Sequence, residues 1–209
     1  METLKTLKAE CRKKILETRQ SLKPEDMERW DDEIMKRLLS VPVISVLSEI
    51  SSMSGKQGDK KTDTVYCYIG VRGEAGTEAL IKYFWGLGLR VAVPRIDKKI
   101  MYFYYINSHD DLEPGGFGLP EPVTSCEKAE CKDAPVIVPG VAFSRRYERT
   151  GYGAGYYDRF FAEEPEHEKI AVCYDFQLFE KIASDSFDVP MDYIVTPAEV
   201  LCRKGNGHA

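Results

Sequence analysis

Between Arg149 and Asp158 the chain reads Thr150-Gly151-Tyr152-Gly153-Ala154-Gly155-Tyr156-Tyr157, and glycine at every second position constrains it more than any other stretch does. Without Cβ atoms at Gly151, Gly153 and Gly155, the backbone can approach a ligand closely and adopt positive φ. Behind the glycines, Tyr156, Tyr157, Phe160 and Phe161 recur at helical spacing, which predicts a loop running into a helix. A helix entered through glycines presents unpaired N–H groups and the positive end of its dipole, which suits a phosphate. Arg145, Arg146 and Arg149 add side-chain donors just upstream, and spacing does not say which of them meets an anion. Neither standard phosphate fingerprint is present: there is no Gly-x-x-x-x-Gly-Lys-Ser/Thr, and Tyr156 stands where a dinucleotide motif needs its third glycine. On the glycines alone, a tight strand-to-helix turn beside a solvated arginine cluster fits equally well.

The remaining chain alternates helical and strand-like runs. Leu4, Leu7, Cys11 and Ile15 predict an amphipathic first helix, with Lys8 and Arg12 four apart beside the stripe. Pro24, Glu25 and Asp26 suit the first turn of a second helix with Met27, Trp30, Ile34 and Leu38 inside. Val41 to Ile50 reads as a short third helix, and Ser51 to Asp63 as a mobile surface loop. Strands are expected at Thr64–Ile69, Arg90–Val93, Ile100–Ile106, Ala134–Val138, Lys169–Tyr174 and Asp192–Pro197, the last closing the sheet. Thr77 is placed to cap a helix closed by Gly86 and Gly88. Leu112 to Pro122 reads as a turn-rich loop, Arg95 as a strand-end arginine open to an anion, and Gly205 to Ala209 as a frayed tail. This alternation predicts an α/β fold with three αβα layers, a mostly parallel sheet with helices on both faces, in a single domain over residues 1–209.

Composition narrows the partners. A net charge of −5 argues against a general nucleic-acid binder, and no apolar run is long enough to span a bilayer. Six scattered cysteines with no Cys-x-x-Cys, and charges throughout Met1 to Gln20 with no apolar h-region, point to a reducing cytoplasm. Cys126 and Cys131 lack the histidines of a zinc site. His109, His167 and His208 have no nucleophile partner and read as structural or solvated.

Val138-Pro139-Gly140-Val141-Ala142-Phe143, followed by Arg149-Thr150-Gly151-Tyr152-Gly153-Ala154-Gly155-Tyr156-Tyr157-Asp158, resembles the signature of the 5-formyltetrahydrofolate cyclo-ligase (5,10-methenyltetrahydrofolate synthetase) family. The likeness runs in order through nearly the whole chain. It implies that Lys8, Arg12, Arg149, Gly151, Tyr152, Gly153, Ala154, Gly155, Tyr156 and Tyr157 bind ATP. It places Arg12, Ile69, Glu74, Phe117, Tyr152 and Tyr156 against the folate, and Asp158 and Asp188 on Mg2+. Lys8, Arg12 and Arg149 then serve catalysis by neutralising the migrating charge. Asp158 lies one helical turn beyond the glycines, whereas only the resemblance selects Asp188 over Asp185 or Asp192. Some relatives carry Gly-Arg-Gly-Lys-Gly in the loop; Tyr152 and Ala154 stand here in place of those two cations.

The implied reaction is ATP- and Mg2+-dependent closure of 5-formyltetrahydrofolate to 5,10-methenyltetrahydrofolate by a monomer that meets small molecules, no nucleic acid and no membrane. Two rivals are a nucleotide- or sugar-phosphate enzyme acting on another substrate, and an RNA-binding module built on the arginine cluster. The acidic balance and the joint presence of Lys8, Arg12 and Asp158 count against the second.

Overall fold

Side chains that alternate along short apolar strands must face opposite ways, and here both directions are covered by helices. A computed structural model describes residues 3–52 and 63–203. Nearly all of the expected loop at 51–63, and the tail at 205–209, lie outside the described residues. Three helices come first: α1 (Leu4–Gln20), α2 (Pro24–Leu38) and α3 (Pro42–Ser52). Then follow β1 (Thr64–Tyr66), α4 (Glu78–Gly86), β2 (Arg90–Asp97), β3 (Ile100–Ile106) and the hairpin β4 (Leu112–Pro114) with β5 (Pro120–Pro122). The second half carries β6 (Val136–Val138), β7 (Ala142–Ser144), β8 (Arg149–Thr150) and α5 (Tyr156–Glu163). It ends with β9 (Lys169–Val172), β10 (Leu178–Phe179), β11 (Tyr193–Val195) and β12 (Val200–Cys202).

The main sheet has the order β12-β11-β9-β6-β1-β2-β3. Its central strands β11, β9, β6, β1 and β2 pair in parallel, while β12 and β3 close the edges antiparallel. Val65, Val91, Val93, Ile137, Ile170 and Val195 pack with Ile34, Leu38, Ile44, Leu80, Ile81 and Phe84 of α2, α3 and α4. Their neighbours in sequence, Tyr66, Ala92, Val136, Val138, Ala171 and Ile194, pack with Phe160 and Phe161 of α5. This period of two produces the three layers expected from the sequence. Each fully buried Val, Leu, Ile or Phe side chain in these clusters contributes roughly 1.5–3 kcal/mol relative to exposure.

A smaller sheet, β10-β7-β8, carries the glycine stretch and rests on α1. Ile15 meets Val141, Ala142 and Ile182 there. The expected stripe on α1 is only partly used, because Leu4 and Leu7 are exposed and the buried residues are Ile15 and Arg19. The region read as a loop at Leu112–Pro122 pairs as a hairpin, and β12 rather than β11 forms the sheet edge. Thr77 is the N-cap of α4 as expected, but its hydroxyl makes no capping bond: it donates to Tyr68 O at 2.6 Å and accepts from Gly70 N at 3.1 Å.

Candidate active site

The glycine stretch leaves β8 and enters α5 at the C-terminal ends of the parallel strands, where α/β sheets place ligands. Gly153 has φ 105° and Gly155, the N-cap of α5, has φ 65°, backbone conformations that other residues adopt only with strain. Arg12 Nε donates to Gly151 O at 2.7 Å and so ties α1 to the loop. Arg149 is buried under it, and its Nη2 donates to both Asp158 oxygens at 3.0 Å. Across the opening, Lys8 Nζ donates to Asp188 Oδ2 at 2.5 Å and to Asp185 Oδ2 at 3.2 Å.

Opposite the glycines, the turn after β1 buries Glu74. Its Oε2 accepts from Val71 N at 3.2 Å and its Oε1 from the Tyr152 hydroxyl at 2.9 Å. Burial raises the Glu74 pKa above the ordinary glutamate value, against the opposing pull of the Tyr152 and Val71 hydrogen bonds and of Arg19 and Arg72. Burial and the neighbouring Glu74 charge push the Tyr152 phenol up to about 12. For Lys8, burial disfavours the ammonium, yet the hydrogen bonds and charges of Asp188 and Asp185 outweigh it and the pKa rises.

These walls enclose a cavity of about 530 Å³. Lys8, Arg12, Ile69, Glu74, Arg149, Gly151, Tyr152, Gly153, Ala154, Gly155, Tyr156, Tyr157, Asp158 and Asp188 all line it. Asp185 lines it too, whereas Asp192 accepts from Lys169 N at 3.0 Å elsewhere. The side chain of Phe117 lies outside the described residues; only its backbone turn, Gly116–Gly118, is placed. Three basic residues turn out otherwise than the sequence suggests. Arg95 is tied to Glu113 at 2.7 Å and to Pro122 O, Arg145 pairs with Glu180 and Glu199, and Arg146 is exposed away from the lining. His167 is buried, with Nδ1 2.7 Å from Ala134 O, a structural histidine.

Arg149 Nε, Thr150 Oγ1 and Tyr157 Oη are buried with no hydrogen-bond partner among the described residues. All three belong to cavity-lining residues, so a polar ligand there would satisfy groups that otherwise cost stability. The acids offer carboxylate oxygen alone, with no cluster of three His, Cys, Asp or Glu among the described residues. That donor set fits a hard cation which draws most of its shell from phosphate and water.

Residues 4–197 match the 5-formyltetrahydrofolate cyclo-ligase family. The chain belongs to that family. Cyclo-ligases are ATP-dependent ligases, and the chain is accordingly an enzyme. The 5-formyltetrahydrofolate cyclo-ligase of Escherichia coli K12 is 26% identical over 199 residues, covering 89% of this chain and 98% of its own. That of Mycolicibacterium smegmatis is 34% identical over 142 residues, covering 64% and 73%. The solved structure of Aquifex aeolicus 5,10-methenyltetrahydrofolate synthetase superposes with a TM-score of 0.79 at 29% identity, covering 97% of this chain and 95% of that one.

Arg19, which the sequence reading passed over, is buried beside the cavity and bonded to one of its lining residues. It sits in the last turn of α1, donating to the Tyr152 hydroxyl and to Gly140 O, both at 2.7 Å. Its one signal was position: Cys11, Ile15 and Arg19 follow one another at intervals of four on a single helix face.

Proposed function

We propose that the chain closes 5-formyltetrahydrofolate to 5,10-methenyltetrahydrofolate with ATP and magnesium, releasing ADP and phosphate. The observation that carries this reading is a single cavity with Glu74 and Ile69 on one wall and Lys8, Arg12, Arg149 and the glycine loop on another. Its size falls among small-molecule sites, roughly 300–1,000 Å³. Glu74, with Ile69, Arg12, Phe117, Tyr152 and Tyr156, takes the folate end. As a carboxylate it accepts from the adjacent N–H and amino groups of the pterin.

The formyl oxygen attacks the γ-phosphorus of ATP, and ADP leaves. The formyl carbon then carries phosphate, a far better leaving group than an amide oxygen. The N10 nitrogen attacks that carbon and gives up its proton, and phosphate departs with the electron pair of the C–O bond. Such chemistry asks the protein for positioning and charge neutralisation rather than a nucleophile. Loop N–H groups and the α5 N-terminus hold phosphoryl oxygens, and Lys8, Arg12 and Arg149 offset their charge. Asp158 and Asp188 would hold magnesium, which when bound would supply further neutralisation of the polyphosphate. Lys8 and Arg149 face those two carboxylates, so the cations that would meet phosphate are held at the cavity before a nucleotide enters.

The test is to mix the purified protein with 5-formyltetrahydrofolate and Mg-ATP and follow the methenyl chromophore. Asp158→Ala loses it, and Lys36→Ala, on an exposed face of α2, keeps it. No chromophore with the unsubstituted protein would overturn the reading.

A further inference from the structure

Among the described residues no cation hydrogen-bonds the Glu74 side chain; Arg19 is linked to it through a phenol. The Arg19 guanidinium donates from Nη1 to Tyr152 Oη at 2.7 Å, and that hydroxyl spends its single proton on Glu74 Oε1 at 2.9 Å. Arg19 is itself buried at 5% exposure and is held from the far side by Gly140 O. A Cβ added at Gly73, beside Glu74, would stand 3.0 Å from Arg19 Cβ, so the turn packs closely against the end of α1. Tyr152 remains 46% exposed, with its ring at the cavity and its hydroxyl clasped between the two charged groups.

We infer that Arg19 is a positioning residue that sets Glu74 for folate recognition through the Tyr152 hydroxyl, without touching the substrate itself. The inference rests on the folate role proposed for Glu74. An ionised carboxylate has about four acceptor sites. Tyr152 fills one on Oε1 and Val71 N one on Oε2, which leaves one on each oxygen, the pair that two adjacent N–H donors of a pterin require. A direct Arg19–Glu74 fork would consume both. The phenol therefore carries the stabilising influence of a buried cation while leaving the acceptor edge open. It also ties the loop between Gly151 and Gly153 to the folate wall, so Tyr152, standing where some relatives carry arginine, does work at the opposite end of the cavity.

The groups facing Glu74 are Arg19 from α1, Arg72 from its own turn, Tyr68 beyond β1, Tyr152 from the glycine loop, Tyr157 from α5, and Tyr174, whose hydroxyl reaches Glu74 O at 3.3 Å. Burial raises the Glu74 pKa, and Tyr152 and Arg19 pull it back down. Folate capture needs the carboxylate, so it weakens as pH falls through that pKa. Removing the phenol hydroxyl or the guanidinium moves the acid limb to higher pH.

The experiment measures the dissociation constant for 5-formyltetrahydrofolate without nucleotide, by intrinsic fluorescence, from about pH 5 to about pH 9, each substituted chain being compared with the unsubstituted one at the same pH so that titration of the folate's own carboxylates cancels. The proteins compared are the unsubstituted chain, Tyr152→Phe, Arg19→Met and Arg19→Lys. In Tyr152→Phe and Arg19→Met the acid limb shifts upward, and weakened binding partly recovers as pH rises. Arg19→Lys lies between them and the unsubstituted chain. Tyr152→Phe removes one oxygen from an exposed ring and keeps the test decisive should Arg19→Met fail to fold. Weakening by the same factor at every pH, or no weakening, overturns the inference alone. Failure of the unsubstituted chain to bind the folate overturns the proposed function and this inference with it.

Discussion

Arg149 and Asp158, nine residues apart, meet through a guanidinium nitrogen 3.0 Å from both carboxylate oxygens, with the arginine almost wholly buried. The hairpin of β7 and β8 delivers the arginine, the first turn of α5 delivers the acid, and the three glycines between them make the reversal possible. Asp158 Oδ1 also accepts from Val189 N at 3.3 Å, which draws in the segment bearing Asp185 and Asp188.

Removing that carboxylate outright strands a buried cation, at a cost of roughly 3–5 kcal/mol. Asp158→Asn keeps the shape and separates stability from function. The expected result is a folded protein whose apparent magnesium affinity in turnover drops on the order of 10–100-fold, partly restored by excess magnesium. Magnesium titration of initial rates checks it; an unchanged titration would remove Asp158 from the metal.

Lys8 spans the opening to two acids on a distant segment. Lys8→Ala is expected to raise the KM for ATP on the order of tenfold or more, the loss of one charge-assisted contact. The KM for the folate moves less. Equal rises in both would place Lys8 in general scaffolding.

The same contacts carry a pH signature. Hydrogen bonds from Phe187 N and Lys8 hold the Asp185 carboxyl below its ordinary value. A group depressed in the folded state stabilises above its unfolded pKa and loses that contribution as pH falls through the folded one. The urea midpoints of the unsubstituted protein and Asp185→Asn should therefore differ at neutral pH and converge below about pH 4. The difference is small because Asp185 is exposed. A constant gap down to acid pH would contradict the assignment.

Glu74→Gln retains size and swaps half the acceptor edge for a donor. Its folate dissociation constant is expected to rise on the order of 10–100-fold, with nucleotide binding little altered. Calorimetric titration of each ligand separately distinguishes this from collapse of the site, in which both affinities fall together.

Phe84 of α4 is fully buried among Val65, Val91 and Ile106. Truncation to alanine is expected to cost about 3–5 kcal/mol in urea denaturation, while the folded protein keeps its ligand affinities. A cost under about 1 kcal/mol would mean that the helix layer relaxes around the gap.

The layers were legible because alternation is a local property. Val65, Tyr66 and Cys67 divide between two faces whatever lies beyond them. The hairpin of β4 and β5 was hidden by Pro114, Pro120 and Pro122, which read as loop punctuation and are tolerated on a two-stranded edge. The exposure of Leu4 and Leu7 reflects tertiary placement of α1, which no helical period reports. The glycine loop announced itself by composition, yet Arg145, Arg146 and Arg149 could not be ranked. Arg149 lies in β8 beneath the loop, while Arg145 is drawn away to Glu180 and Glu199. Arg19 resembled the ordinary cation at a helix C-terminus, and its partners Tyr152 and Gly140 lie more than a hundred residues away.

The most direct measurement labels the formyl oxygen of 5-formyltetrahydrofolate with a heavy oxygen isotope, adds Mg-ATP and the protein, and weighs the released phosphate by mass spectrometry. Transfer of a γ-phosphoryl group to that oxygen within one cavity predicts a single labelled oxygen in each phosphate formed with the methenyl product. Phosphate released without label, alongside the same product, would contradict it.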